Sequence, residues 1–324
     1  MIGNFADLCT YVYVVTDEVY RRAVAPYDTR PGPQSGFTDS ELLTVSVVAE
    51  LVGLDAETRC LAYLRRNHPA LFPLLPERSR YNRRRRQLAE VTNRLRGAIM
   101  ERLWRVLDEE GRDLYAIDSV PVPVVGFHHA RHAHRWYGEA AYGRVASKQQ
   151  TVYGFKLHLL ISACGLILDF ALVAANEADG TLAEQLLIDK AGLTVLGDKG
   201  YVNGPLQQHL AARNGLTLLT PRRKNQKIQL PETLTRAINQ ARQIIETVNS
   251  QLVGQCHLQR NRAKSLFGLA TRIHAKLAAH TLGLYLNYLA GRPLLALMDL
   301  ALIEQQGRIA DIRQPWPQQP GPPI

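Results

Sequence analysis

The stretch LYAIDSVPVPVV, residues 114 to 125, decides how the rest of the sequence is interpreted. Its apolar residues predict a buried strand, which Pro121 and Pro123 are expected to stop because proline cannot donate to a strand ladder. Asp118 nevertheless places a carboxylate in the apolar middle of that strand. A lone buried charge costs several kcal/mol, and no Lys or Arg lies within five residues on either side. We therefore expect Asp118 to find a partner elsewhere in the fold.

Beyond this strand, the sequence predicts a mixed sheet with helices on its faces. TVYGFKLHLLISA, residues 151 to 163, alternates apolar and polar residues and turns through CGL into ILDFALVA, which predicts an antiparallel hairpin. Helical and strand patterns then alternate over 181–224. Apolar residues spaced by three and four predict a long helix over 232–256, and another apolar helix follows over 266–290. The predicted fold class is α/β.

The first 110 residues, in contrast, predict only helices. FTDSELLTVSVVAELVG has the capping-box pair Thr38 and Glu41, which predicts a helix start, and Gly53 is a plausible stop. Residues 82–110 predict one long helix. Short helices that precede an arginine-rich helix suit a DNA-binding region, so the expected organisation is an all-helical DNA-binding region over 1–110 and an α/β domain over 111–295. A Pro- and Gln-rich tail over 296–324 is expected to be disordered.

The charge of the chain favours a polyanionic partner. Lys and Arg total 39 against 29 acidic residues, for a formal net charge of +10. Such a balance favours nucleic acid. The excess is concentrated in ERSRYNRRRRQ, residues 77 to 87, where a solvated helix face would usually intersperse glutamates. We expect its arginines to contact phosphates: Arg78, Arg80, Arg83, Arg84, Arg85 and Arg86.

Other classes of protein are disfavoured by the sequence. No run of eighteen apolar residues predicts a membrane span, and the first residues lack the features of a signal peptide. The four cysteines are scattered and lie mostly in apolar segments, which argues against a disulfide framework or a thiolate zinc site. We therefore expect a protein of a reducing cytoplasm, with neither a membrane partner nor a small-molecule substrate.

Two further acidic residues are candidates to join Asp118. Asp198 ends a predicted strand in VLGDKGY, and Glu246 lies beside the apolar stripe of the long helix. Three converging carboxylates repel one another unless divalent cations neutralise them, and oxygen ligands suit Mg²⁺ or Mn²⁺. Two such ions can activate a water or a 3′-hydroxyl and stabilise the leaving oxygen of a phosphodiester. The sequence therefore predicts a site for two ions at Asp118, Asp198 and Glu246.

Each acid also has a structural alternative. Asp118 could bond to backbone at a strand end, and Asp198 begins DKG, an ordinary turn sequence. Arg242 and Glu246 are spaced as a surface ion pair, worth about 0.3–0.5 kcal/mol. Only their combination with the basic charge and the order of elements favours catalysis.

Several of these segments, taken in order, resemble the DDE-type transposases of bacterial insertion sequences, and the IS nine-eight-two family in particular. The similar segments are AIDSVPVPV, the hairpin, LGDKGY, PRRKN and RQIIETVNSQL, and the resemblance extends from about residue 37 to 289. It implies an RNase H-like catalytic domain whose first, second and third acids are Asp118, Asp198 and Glu246.

The resemblance also implies a function and shows one departure. Such proteins bind the terminal inverted repeats of their element, cut there and join the ends to target DNA. The resemblance therefore implies double-stranded DNA as partner, a homodimer on DNA and association with the nucleoid in a bacterial cytoplasm. Related transposases often have a Tyr-x2-Arg-x3-Glu-x6-Lys signature. Here Arg242 and Glu246 keep its centre, but Asn239 and Val253 stand in the places of Tyr and Lys.

The positions of several other residues predict contacts with DNA or a structural role. We expect Lys156 and His158, which share a strand face, and Arg242 to lie near phosphate. Arg222, Arg223 and Lys224 follow a strand directly and are expected to form a DNA-facing loop. Asp179 precedes a predicted helix and is expected to be its N-cap.

Three functions remain open from the sequence. The first is an active transposase, the second is a nuclease on the same scaffold without strand transfer, and the third is a catalytically silent DNA-binding protein derived from a transposase. The absence of the Tyr and Lys of the signature is compatible with the third function, a catalytically silent DNA-binding protein.

Overall fold

The computed structural model describes residues 2, 4–27, 35–107, 114–145, 150–201, 204–220 and 232–297. Its first helices are α1 (Phe5–Val19), α2 (Asp39–Leu51), α3 (Glu57–Asn67), α4 (Arg78–Gln87) and α5 (Ala89–Val106). They are followed by α6 (Asp179–Leu187), α7 (Gly204–Asn214), α8 (Glu232–Gly254) and α9 (Leu266–Leu289). Within these residues, no helix is both long enough and apolar enough to cross a membrane.

The start of α2 confirms the predicted capping box. The Thr38 hydroxyl accepts a hydrogen bond from the Glu41 backbone N–H, and the Glu41 carboxylate accepts one from the Thr38 backbone N–H. Beyond the helix end, Gly53 has a φ of +71°, a left-handed conformation that glycine adopts without strain.

The single helix predicted over 82–110 is wrong. The chain forms two helices, α4 and α5, with the fully buried Leu88 between them. Helix α4 contacts α2, α3 and α9, whereas α5 lies mainly along α9. The break at Leu88 therefore lets α4 reach α2 and α3 while α5 follows α9.

The sheet has six strands: β1 (Leu114–Val125), β2 (Ala141–Val145), β3 (Gln150–Ser162), β4 (Ile167–Ala174), β5 (Thr194–Gly197) and β6 (Thr217–Leu219). Their order is β2-β3-β1-β5-β6, and β4 pairs with the same edge of β3 as β2. Strand β3 is antiparallel to β1, β2 and β4, while β1, β5 and β6 are parallel to one another. This mixed sheet confirms the predicted α/β class and is consistent with an RNase H-like fold.

Pro121 and Pro123 do not stop β1, contrary to the sequence prediction. The strand continues to Val125 and stays paired with β3. The carbonyls of both prolines accept side-chain hydrogen bonds, from Gln259 at 3.3 Å and Asn261 at 2.7 Å, on the edge that β5 leaves free. A residue's N and O point to the same edge of a strand, so neither proline removes a bond from the β1–β3 ladder.

The two faces of the sheet are covered by different helices. Ala116, Val120 and Val122 of β1 pack on the face that α8 and the first half of α9 cover. Tyr115 and Ile117 point to the opposite face, which α6 and α7 cover. The predicted apolar stripe of α8 is buried at each of its described side chains: Ile238, Ala241, Ile245, Val248 and Leu252.

Helix α9 joins the sheet to the N-terminal helices. Its first half packs on the sheet face through Leu269 and Ile273, and its second half packs against α2 and α5 around Leu282 and Leu286. Between these halves, Lys276 is buried and its Nζ lies 2.5 Å from a carboxylate oxygen of Glu50 in α2.

Glu50 is the centre of a buried network of charges. Its carboxylate also accepts from Arg85 of α4 at 2.9 Å, and Arg85 reaches Glu57 of α3 at 3.4 Å. Burial alone would raise the pKa of Glu50, but Lys276 and Arg85 lower it below its ordinary value. The network therefore connects α2, α3, α4 and α9 through paired charges.

We expect Lys276→Met to lower the free energy of unfolding by about 3–5 kcal/mol, because it removes one of two cations from a fully buried carboxylate. The free energy is measured by urea unfolding at pH 7.5. The matched control is Arg236→Met, which breaks the exposed Arg236–Glu232 pair and should change stability by less than about 0.5 kcal/mol. Equal effects of the two substitutions would contradict the structural importance of the network.

Candidate active site

Asp118 and Asp198 lie at corresponding positions on neighbouring strands. Strands β1 and β5 are parallel, and their last paired residues are Ile117 and Gly197. Asp118 directly follows Ile117, and Asp198 directly follows Gly197. Asp118 is partly buried because β1 continues between β3 and the helices, whereas Asp198 is exposed at the carboxyl end of β5. The carboxyl ends of strands in α/β sheets are where such sites are built.

The pKa of Asp118 is raised from its ordinary value to about 6. Burial is the largest cause, and the negative charges of Asp198 and Asp179 raise it further. Hydrogen bonds from the Ser119 backbone and the Asn249 side chain act in the opposite direction. Asp118 is therefore a carboxylate whose charge is incompletely compensated by the protein.

Asn249 of α8 provides the partner of Asp118. Its Nδ2 donates to Asp118 Oδ2 at 2.8 Å, while its own buried Oδ1 has no hydrogen-bond partner in the described part of the chain. Glu246 lies one helical turn earlier on α8 and is exposed. The same helix thus contacts Asp118 and bears Glu246.

The structure groups the three predicted acids only in part. Asp198 lies near enough to Asp118 to raise its pKa, but Glu246 is not among the groups that shift it. Among the residues that the structure describes, no three His, Cys, Asp or Glu side chains form a group that could hold a metal ion. The assignment of Glu246 therefore stays a prediction.

The loop GDKGY after β5 packs beneath the two aspartates. The Tyr201 N–H donates to the Asp198 carbonyl at 2.9 Å, and the Tyr201 ring is buried against Gly197. A Cβ added at Gly197 would lie 3.0 Å from the Cβ of Tyr201, so the position of the Tyr201 side chain favours glycine at residue 197. The compact turn places Asp198 at the strand end.

Asp179 is an acidic residue that the sequence did not assign to the site. The predicted N-cap role is wrong, because the N-cap of α6 is Ala178 and Asp179 is the first helical residue. The Asp179 carboxylate lies 2.7 Å from Lys156 Nζ and also raises the pKa of Asp118. It therefore lies beside the two predicted aspartates.

Two of the predicted phosphate contacts require correction because their side chains are buried. His158 has no exposed surface, and its Nδ1 lies 2.9 Å from the Tyr201 hydroxyl. Burial lowers its pKa to about 4, so the imidazole is neutral at pH 7. Arg85 is buried between Glu50 and Glu57. Neither side chain can contact DNA in this conformation.

The other arginines of α4 differ in their surroundings. Arg84 is half-buried and bonds to Asp39 at 2.5 Å, so its charge is already paired. Four are exposed: Arg78, Arg80, Arg83 and Arg86. Arg78, Arg83 and Arg86 line a groove between α4 and α9, where the guanidinium of Arg86 lies 5.0 Å from the centre of the exposed Phe267 ring.

Of the remaining predicted contacts, Lys156 is half-buried beside Asp179 and Arg242 is exposed on α8. Arg222, Arg223 and Lys224 lie outside the described residues, as do residues 298–324 of the predicted tail.

Three residues near these surfaces were missed from the sequence: Asn249, Asp179 and Phe267. Asn249 follows Glu246 by three residues, a spacing that places two side chains on neighbouring turns of one helix face. That signal was present in ETVNSQL. Asp179 and Phe267 had no local signal, since their contacts come from residues distant along the chain.

The mixed sheet with adjacent carboxylates at a strand end is consistent with an RNase H-like fold. Residues 109–266, just under half of the chain, match the family model described as a transposase DDE domain. The region that is similar to a DDE-type transposase includes Asp118, Asp198 and Glu246. No curated protein and no solved structure matches the chain.

The residues at this site fit the divalent cations that such domains use. Asp118 and Asp198 offer only oxygen atoms, which suit Mg²⁺ or Mn²⁺. The raised pKa of Asp118 reflects negative charge that a cation would neutralise, and the Asn249 Oδ1 is a buried oxygen without a donor. A site of this charge can bind a cation beside a phosphate group.

We expect Asp118→Asn to stabilise the metal-free protein at pH 7.5 by about 1–3 kcal/mol, because it removes a buried and repelled negative charge. The sign follows from the raised pKa. The folded state binds more protons than the unfolded state between about pH 4 and 6, so the ionised carboxylate destabilises the fold above that window.

The measurement is urea unfolding in EDTA at pH 7.5 and pH 4, with the gain disappearing at pH 4. The control is Asp169→Asn on β4, which removes a carboxylate paired with Lys190 at 2.8 Å and should give no gain. If Asp118→Asn were no more stable than the wild type at pH 7.5, the unfavourable charge inferred for Asp118 would be refuted.

Proposed function

We propose that this protein is a DNA transposase that binds the terminal inverted repeats of an insertion sequence and catalyses metal-dependent cleavage and strand transfer. The observation that supports it best is the adjacency of Asp118 and Asp198 at a strand end inside a transposase DDE domain. The resemblance to IS nine-eight-two transposases supports the finer assignment.

In this proposal, Asp118, Asp198 and Glu246 hold two Mg²⁺ or Mn²⁺ ions, and Asn249 orients Asp118. Bound ions would activate a water or a 3′-hydroxyl and stabilise the leaving oxygen of the phosphodiester. The protein contributes rigid placement, since β1 is paired on both sides at Ile117 and α8 is packed on the sheet. Glu246 is proposed from its position one turn from Asn249.

The DNA backbone is proposed to follow the positive surfaces around this site. The groove between α4 and α9 offers Arg78, Arg83 and Arg86, and Arg80 lies exposed on the same helix. Arg242 lies on α8, the helix that bears Glu246. We also propose that Arg222, Arg223 and Lys224 contact DNA, and that two copies bind the two element ends as a homodimer.

We expect Asp118→Asn to lower the rate of DNA cleavage by a factor of about 1,000 or more, because cation placement supplies most of the catalysis of phosphoryl transfer. Cleavage is measured on labelled terminal-repeat DNA with Mg²⁺ and with Mn²⁺. DNA affinity of the variant should stay within about twofold of the wild type. Wild-type cleavage rates in the variant would refute the metal role of Asp118.

A catalytically silent DNA-binding protein is the second candidate. The observation that favours it is the lack of a three-residue metal group among the described side chains, together with Asn239 and Val253 at the signature positions. Tight, salt-sensitive DNA binding without cleavage in either metal would support it. A nuclease without strand transfer is distinguished from a transposase by supplying pre-cut element ends and a target plasmid. Only a transposase would join the ends to the plasmid.

We expect Arg83→Ala and Arg86→Ala each to weaken binding to every DNA sequence and to reduce the slope of log affinity against log salt by about 1, because each removes one phosphate contact. Binding is measured by fluorescence anisotropy across a range of salt concentrations. Arg105→Ala, an exposed arginine of α5 outside the groove, is the control and should leave the slope unchanged. Slopes equal to the wild type for both groove variants would exclude the groove as a phosphate-binding surface.

A further inference from the structure

The acidic end of the sheet contains a carboxylate that the three-acid assignment does not use. Asp179 lies at the start of α6, after the chain leaves β4, and its side chain contacts Lys156 of β3. Asp179 Oδ1 lies 2.7 Å from Lys156 Nζ, and the same Nζ donates to the Glu177 carbonyl at 2.7 Å. Lys156 is thus positioned by two oxygens of one short segment.

The GDKGY loop lies directly against Asp179. A Cβ added at Gly200 would lie 2.8 Å from Asp179 Oδ2, so the carboxylate packs directly against this glycine. Gly200 is two residues from Asp198, which connects the two carboxylates through one tight turn. The negative charge of Asp179 also raises the pKa values of Asp118 and Tyr201.

A buried polar chain reaches Asp179 from β1. The side chain of Ser119, the neighbour of Asp118, lowers the pKa of Tyr201, whose hydroxyl lies 2.9 Å from His158 Nδ1. On the other side of the imidazole ring, His158 Nε2 is buried, has no hydrogen-bond partner among the described residues and lies 3.8 Å from Asp179 Oδ1.

The unpartnered His158 nitrogen indicates that a ligand belongs at this position. A buried imidazole nitrogen without a partner costs free energy, and the gap to Asp179 is longer than a hydrogen bond. A bound ion with its water molecules would supply the missing partner. Residues that orient a ligating carboxylate in this way are typical of metal sites.

We infer that Asp179 is a fourth acidic residue of the divalent-cation pocket and that Lys156 Nζ balances its charge while the cation is absent. The inference rests on the proposed metal-dependent function. Asp179 contributes carboxylate oxygen to a Mg²⁺ or Mn²⁺ ion, and Lys156 competes with that ion. The lysine becomes available to a DNA phosphate when the ion is bound.

The test measures binding of Mn²⁺ to the full-length protein in the absence of DNA. The concentration of free Mn²⁺ is measured by electron paramagnetic resonance. Asp179→Asn should weaken Mn²⁺ binding by about tenfold or more, as expected when a ligand or its support is removed. Asp169→Asn is the matched control, because it also breaks an aspartate–lysine pair on the same sheet, and its affinity should equal that of the wild type.

Lys156→Met provides an independent measurement. Removing the competing cation should strengthen Mn²⁺ binding severalfold, an effect that a loss of folding cannot imitate. If Asp179→Asn does not fold, the Mn²⁺ affinity of Lys156→Met alone tests whether Asp179 and Lys156 have the inferred roles. Unchanged or weaker binding in Lys156→Met would overturn the role of Lys156 as the competing charge.

Asp198→Asn separates failure of this inference from failure of the proposed function. If Asp198→Asn weakens Mn²⁺ binding while Asp179→Asn matches the control, Asp179 lies outside the pocket and the proposed function stands. If neither substitution changes the affinity, the metal pocket itself is refuted and the inference fails with it.

Discussion

The burial of the Asp118 carboxylate next to the doubly paired part of β1 is the constraint on which the acidic end of the sheet depends. Strand β1 is bonded to β3 through Asp118 and beyond, and to β5 on the other edge up to Ile117, so the centre of the sheet fixes the backbone at Asp118. Among the described residues, an amide from Asn249 and a backbone N–H act to lower the pKa of its carboxyl. The fold therefore maintains a negative site whose neutralisation has to come from a bound cation or from a proton.

The helices around the sheet connect this site to the arginines of the N-terminal region. Helix α8 is attached to the sheet by its buried stripe, and it contacts Asp118 through Asn249. Helix α9 packs on the same face and continues into the core of the N-terminal helices, where Lys276 and Arg85 share the carboxylate of Glu50. Because these charges are buried and paired, α4 has a defined position relative to the sheet. A DNA backbone bound in the groove between α4 and α9 would consequently lie at a defined distance from Asp118.

Local sequence patterns were sufficient where one segment determines its own structure. The capping box at Thr38, the hairpin of β3 and β4, and the stripe of α8 all depend on residues close together in the chain, and all three were predicted. The failures involve partners far away in sequence. Pro121 and Pro123 are tolerated in β1 because Gln259 and Asn261 occupy its free edge, and the Asp179 carboxylate pairs with Lys156 of β3 instead of capping α6. No pattern within the β1 or α6 segments contains that information.

The arginine run of α4 shows why a count of charges overestimates a DNA-binding surface. Tyr81, Arg85 and Leu88 follow one another at helical spacing and are all buried, so the same periodicity that forms the helix directs one arginine of RRRR into the interior. The acids that receive Arg85, Glu50 and Glu57, are supplied by α2 and α3. Had these acids been absent, burying Arg85 would have cost several kcal/mol and the helix would have turned another face inward. The distribution of acidic residues in the preceding helices thus determines which arginines of α4 stay exposed to a phosphate backbone.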